Sequence, residues 1–129
     1  MTLSTPPKIL IVEDDGIIAM CTKIALLNMG YDVLPIALSD KSALRITREH
    51  KPDLVLTDIQ LHGEKDGIAV AGEIQRQLCI PIIYYSGRGD EETRERALKV
   101  PNSVFLNKLV SHKKLYRTIN NALSIISNA

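Results

Sequence analysis

Five short apolar runs, separated by segments of helical periodicity, restrict this chain to very few folds. The runs are Lys8-Ile-Leu-Ile-Val12, Asp32-Val-Leu-Pro-Ile-Ala37, Leu54-Val-Leu-Thr57, Ile80-Pro-Ile-Ile-Tyr-Tyr85 and Val104-Phe-Leu-Asn107. The first, third and fourth are continuously apolar, as expected of strands covered on both faces. Pro35 removes a backbone donor from the second run, which places that strand at a sheet edge. Tyr84 and Tyr85 are adjacent in a strand and so point to opposite faces, one of them to the core.

The intervening segments carry helical stripes and helix punctuation. Ile17, Met20, Cys21, Ile24, Leu26 and Leu27 make a wide apolar stripe in the first, and Gly30 follows as a stop. Ser39, Asp66, Asp90 and Ser111 stand where the other four helices need N-terminal caps. Expected inward residues are Ala43, Leu44 and Thr47 in the second helix, Ile68, Ala71 and Ile74 in the third, and Leu115, Ile119, Ala122 and Ile126 in the fifth. Strands alternating with helices imply crossover connections and a parallel sheet. The expected class is α/β: a flavodoxin-like, doubly wound five-stranded parallel sheet in the order 2-1-3-4-5, with five helices.

The chain has 129 residues, which fits one domain, and 45% of them are hydrophobic, enough to bury a core without cross-links. We expect a flexible N-terminal tail at 1–7 and the folded domain at 8–127. The formal net charge is +1, so no strong field points to a nucleic-acid or membrane partner. No stretch has the length of a membrane span, and the expected location is cytoplasmic. The two cysteines, Cys21 and Cys79, lack metal-ligand spacing and read as small buried hydrophobes of a reducing compartment.

Polar residues fall at the carboxyl ends of the runs: Glu13-Asp14-Asp15, then Asp58, then Ser86-Gly87, then Asn107-Lys108. Ligands of open α/β sheets bind at those ends, so the residues converge on one crevice if their strands are neighbours. Carboxylates gathered there repel one another, and a hard divalent cation relieves the repulsion; an oxygen-only donor set suits Mg²⁺, with Mn²⁺ as an alternative. Mg²⁺ takes only one or two carboxylates, which leaves one free as a nucleophile. Phosphoryl transfer also needs charge neutralisation, available here from Lys108, the Ser86 hydroxyl and nearby backbone N–H groups. Taken singly, each residue has a plainer explanation: Asp15 as a helix cap, Ser86-Gly87 as a turn, Lys108 as a solvated lysine. Their joint placement at the strand ends favours a site for an aspartyl-phosphate.

Four motifs, in order and in register, make the chain resemble the receiver domain of two-component response regulators, CheY-like and of the single-domain type. They are Ile9-Leu-Ile-Val-Glu-Asp-Asp15, Pro52-Asp-Leu-Val-Leu-Thr-Asp-Ile-Gln-Leu61 with Asp66-Gly67, Pro81-Ile-Ile-Tyr-Tyr-Ser-Gly87, and Phe105-Leu-Asn-Lys108. The resemblance implies that Asp58 accepts a phosphoryl group from the phosphohistidine of a histidine kinase or histidine phosphotransfer protein. It implies that Asp14 holds Mg²⁺ directly and Glu13 through water, with Asp58 and the Gln60 backbone carbonyl completing the protein ligands. Lys108 pairs with the phosphate, Ser86 is the switch hydroxyl, and Phe105 is the switch aromatic that swings inward. The fourth helix, fifth strand and fifth helix would then present a changed face to a downstream protein, the chain itself being a monomer or weak dimer.

The chain departs from the family at three places. Leu109 follows Lys108 where proline, often cis, is usual; a cis Lys-Leu bond would cost about 3 kcal/mol, so a trans bond is expected. The loop after Asp58 carries His62, read as a solvated loop residue, and is one residue longer than the commonest form. The segment from Arg88 to Arg96 is a charged run, read as a solvated face. The missing proline and the unusual loop motivate an alternative, a receiver-like protein-interaction module that works without phosphorylation. An aspartyl-phosphate phosphatase is disfavoured because Gln60 stands where such enzymes need a second acid. Neither GxGxxG nor GxxxxGK[ST] follows the first strand, which argues against a nucleotide or flavin site.

Overall fold

The computed structural model describes residues 5–87 and 89–127, the last three through their backbone only. The expected tail therefore lies largely outside the described residues, as do Arg88 and the Ile126 side chain. The chain runs β1 (Lys8–Val12), α1 (Gly16–Asn28), β2 (Asp32–Val33), α2 (Asp40–His50), β3 (Leu54–Thr57), α3 (Gly67–Gln77), β4 (Ile82–Ser86), α4 (Glu91–Leu98), β5 (Ser103–Asn107) and α5 (His112–Ser127). The strands form one parallel sheet in the order β2-β1-β3-β4-β5, as expected.

Side-chain alternation divides the core into two layers. Leu10, Val12, Val55, Ile82 and Tyr84 face one way and pack with Ala43 and Ile46 of α2, Ala71 and Ile74 of α3, and Ala97 of α4. Ile9, Ile11, Leu54, Leu56, Ile83 and Leu106 face the other way, against Ala19 and Leu26 of α1 and Leu115, Ile119 and Ala122 of α5. Both faces are covered, which is why β1 and β3 read as unbroken apolar runs. Tyr84 is fully buried, while Tyr85 is partly buried on the opposite face, as the alternation requires.

The helices start where the capping residues stand. Ser39 accepts from the Ser42 N–H, Asp66 from Ala69, Asp90 from Thr93, and Ser111 from Lys114. Gly30 adopts φ +94° after α1, a conformation that costs other residues steric strain.

Three expectations need correction. The second strand is only two residues long; Pro35 interrupts it, and the chain rejoins β1 through an isolated Val12–Ala37 bridge. The α1 stripe faces the wrong way. Of its six residues only Leu26 is buried, beside Ala19 and Ala25, whereas Ile17 is 79% exposed and Met20, Cys21, Ile24 and Leu27 are exposed too. This helix is apolar on nearly every side, so periodicity cannot select its inner face, and the small alanines let it approach the sheet closely. Both cysteines are exposed free thiols rather than buried ones, because Cys21 lies on that outer face of α1 and Cys79 in the connection before β4.

Candidate functional site

Strand register assembles the polar strand ends. The Asp58 N–H donates to the Val12 carbonyl (2.9 Å), which brings the end of β3 beside Glu13. The Lys108 N–H donates to the Ser86 carbonyl (3.1 Å), which brings the end of β5 beside the end of β4. Lys108 then reaches across the sheet: its Nζ lies 2.6 Å from Glu13 Oε1 and 3.1 Å from Asp58 Oδ2. Residues distant in sequence thus meet through one ammonium group.

Each carboxylate has a defined setting. Asp58 Oδ1 accepts from the Ile59 N–H (2.7 Å), and Thr57 Oγ1 donates to the Asp58 carbonyl (2.8 Å), so the aspartate is fixed along its backbone and at one oxygen. Glu13 is only 5% exposed; burial pushes its pKa up, and the Lys108 hydrogen bond offsets only part of that. Burial opposes charge on Lys108 as well, but Glu13 and Asp58 outweigh it and raise the ammonium pKa, so Lys108 stays charged. Asp14 is also disfavoured by burial. The His62 backbone and ring donors reverse the balance and hold its carboxyl below the ordinary carboxylate range. Asp15 caps α1 by accepting from the Ile17 and Ile18 N–H groups (3.0 and 3.1 Å), the plainer role open to it from sequence.

Glu13, Asp14, Asp58, Gln60 and His62 line one open cavity of about 550 Å³. Among the described residues no three His, Cys, Asp or Glu side chains are already gathered as a metal cage, since Lys108 spans Glu13 and Asp58 while His62 takes Asp14. Mg²⁺ does not need such a cage: it keeps several waters and is usually held by one or two carboxylates with phosphate oxygens. The oxygen donors on this open wall fit that requirement, and a bound ion would polarise phosphoryl oxygens and offset their charge.

Ser86 is buried at the end of β4 and paired with Asn107 of β5. Phe105 pairs with Tyr84 across the same two strands; its half-buried ring lies under the Arg94 guanidinium at 5.0 Å and against Gly89, where a Cβ would stand 2.5 Å from the ring. The Tyr85 hydroxyl makes a long hydrogen bond to the Lys108 carbonyl (3.4 Å), on the flank of the site. All peptide bonds of the described residues are trans, as expected for Lys108–Leu109, and Leu109 is 89% exposed.

Three features escaped the sequence. His62 was read as a plain solvated residue; its ring is 97% exposed, yet Nδ1 sits on Asp14 Oδ2, and its backbone N–H donates to the same oxygen (2.8 Å). Gly67 has a steric duty, because a Cβ there would lie 1.8 Å from the Asp58 carbonyl oxygen. Asp40, buried at the start of α2, accepts from the Lys65 N–H (3.2 Å) and tethers the same loop. The Asp66-Gly67 pair was visible as a motif; the contacts of His62 and Asp40 depend on a loop path that no local pattern encodes.

Comparison with known proteins agrees with this geometry. The family model described as the response regulator receiver domain matches residues 9–120. Transcriptional regulatory protein PdtaR of Mycobacterium tuberculosis is 31% identical over 121 residues, 94% of this chain but 58% of PdtaR, so the chain spans little more than half of that relative. The signal receiver domain of a modulated diguanylate cyclase from Desulfovibrio desulfuricans is 36% identical with TM-score 0.85, covering 92% of this chain and 94% of that one. A response regulator receiver domain protein from Clostridium thermocellum is 30% identical, again with TM-score 0.85, covering 94% and 97%. With its sheet order, its acidic strand ends and the extent of these matches, the chain belongs to the response regulator receiver domain family.

Proposed function

We propose that this receiver accepts a phosphoryl group on Asp58 from a protein phosphohistidine, with Mg²⁺ as the assisting ion, and acts as a signalling switch rather than a turnover enzyme. The observation that carries the reading is the bridge from Lys108 to Glu13 and Asp58 (2.6 and 3.1 Å) at the edge of an open acidic cavity. The Asp58 carboxylate attacks phosphorus, and the bond from phosphorus to the donor imidazole nitrogen breaks. Lys108, already between the carboxylates, stabilises charge on the phosphoryl oxygens, and a bound ion would offset the rest. Asp14, Asp58 and the Gln60 carbonyl would hold the ion, with Glu13 acting through water.

A protein donor and a protein target both need surface. Ile17, Met20, Ile24 and Leu27 are exposed on α1, the helix whose Ile18 lines the acidic cavity, and such an apolar surface suits the donor. Leu98 of α4, Val104 of β5 and Tyr116 of α5 are exposed on the elements expected to carry the output. Ser86 would follow the phosphate and Phe105 would move with it, changing that face. The trans Lys108–Leu109 bond and exposed Leu109 favour a second reading, an interaction module indifferent to phosphorylation.

Phosphotransfer from a panel of phosphorylated histidine kinases and phosphotransfer proteins tests the choice. The expected result is Mg²⁺-dependent label on the wild type and none on Asp58→Asn. Unchanged partner binding and phenotype in Asp58→Asn would favour the second reading.

A further inference from the structure

His62 stands out because, among the described residues, Asp14 is the partner that meets its ring. The side chain is 97% exposed, so packing does not position it. Its backbone N–H is fixed on Asp14 Oδ2 at 2.8 Å, and the ring turns Nδ1 onto the same oxygen. The imidazole nitrogen and the carboxylate therefore share one wall of the acidic cavity, beside Asp58 and Gln60. An imidazole at this place changes the donor set from all-oxygen to mixed oxygen and nitrogen.

That change has a definite chemical consequence. Mg²⁺ is hard, prefers oxygen and gives up its waters reluctantly, so it gains little from an imidazole. Divalent transition ions accept imidazole more readily than Mg²⁺ does, Mn²⁺ the least of the series, and a neutral ring ligates through one nitrogen while the other keeps the proton. Here Nδ1–H donates to Asp14 Oδ2, so a cation would ligate Nδ1 by taking that proton's place, leaving the ring proton on Nε2, which is open to water.

We propose that His62 is a ligand of the divalent cation in this cavity and that it tilts the site toward a transition ion such as Mn²⁺ over Mg²⁺. The inference rests on the reading of Asp14 as a metal ligand. It makes His62 a specificity-determining residue for the metal, in a loop where the family resemblance implies only carboxylates and a backbone carbonyl.

Titration calorimetry of the full chain with Mn²⁺ and with Mg²⁺, for wild type, His62→Ala and Asp14→Asn, tests it. Electron spin-echo spectroscopy of the Mn²⁺-loaded wild type supplies a second measurement. The expected result is that His62→Ala weakens Mn²⁺ by about tenfold or more while Mg²⁺ is unchanged, since even outer-shell changes cost metals that much. The spin-echo spectrum should show imidazole nitrogen coupled to Mn²⁺, absent in His62→Ala. Equal effects of His62→Ala on both ions, tighter binding of both, no effect on either, or no nitrogen coupling would each overturn the proposal. Asp14→Asn separates the two failures. If it weakens both ions while His62→Ala weakens neither, His62 is no ligand and the acidic site stands; if it weakens neither, the metal reading of the site falls as well.

Discussion

The two flanks of the strand-end crevice are built differently. On the β1–β3 flank, Glu13 is buried, Asp58 is fixed through Thr57 and Ile59, and Gly67 packs directly against the Asp58 carbonyl. On the β4–β5 flank, β5 meets the eight-residue α4, whose run from Glu91 to Leu98 buries only Ala97. Its links to the rest of the molecule include Arg94 over the Phe105 ring and an ion pair from Arg96 to Asp66. One flank fixes its carboxylates through the backbone, and the other is fastened in part by charged side chains, which are individually weak. A switch needs both properties, because chemistry demands fixed atoms whereas signalling demands an element that moves at small cost.

The sharpest way to break this contrast is to strain the fixed flank. In Gly67→Ala the new methyl would meet the backbone at Asp58 O (1.8 Å) and Ile59 Cα (2.9 Å), where no flexible side chain can yield. The expected loss is about 3 kcal/mol, at the upper end for overpacking, read from the urea midpoint. A midpoint equal to wild type would show that the loop is not held as described.

Lys108→Ala should cost less, about 1–3 kcal/mol, because it leaves buried Glu13 without its ammonium partner. Mg²⁺ should restore part of this loss, so the ion should raise the melting temperature of the variant more than that of the wild type. Equal shifts would mean that Lys108 and the ion do not compensate the same charges.

The β4–β5 flank is probed by Arg94→Ala. Loss of the cation over Phe105 should cost about 0.5–1 kcal/mol and speed the exchange of the Phe105 ring between environments, seen by NMR relaxation. Unchanged ring dynamics would remove Arg94 from the account of α4. The smallest effect concerns pH. Asp90 caps α4, and its carboxyl lies below its ordinary value of 3.8, chiefly because it accepts from the Thr93 N–H. A lowered folded-state pKa stabilises the cap above the ordinary value and loses that contribution as pH falls through the folded one. The midpoint of the Thr93 amide shift with pH should therefore lie below the ordinary aspartate value of 3.8.

Local patterns were legible in the sequence, and features set by long-range packing were not. Strand ends were legible because unbroken apolar runs stop abruptly at Glu13 and Asp58, and the caps were legible because Ser39, Asp66, Asp90 and Ser111 act within three residues. The inner face of α1 was hidden by its all-round apolarity, and the shortness of β2 shows how far Pro35 limits pairing. The His62–Asp14 contact spans 48 residues and follows from the path of a loop rather than from any periodic pattern.

Phosphorylation of Asp58 is the hinge of the whole account, and intact-mass spectrometry of the purified chain after acetyl phosphate and Mg²⁺ tests it most directly. The expected result is one added phosphoryl group on the wild type, stable to acid and lost in base, with none on Asp58→Asn or without the ion. A wild type that gains no phosphoryl group, or an Asp58→Asn variant that gains one equally well, would contradict it.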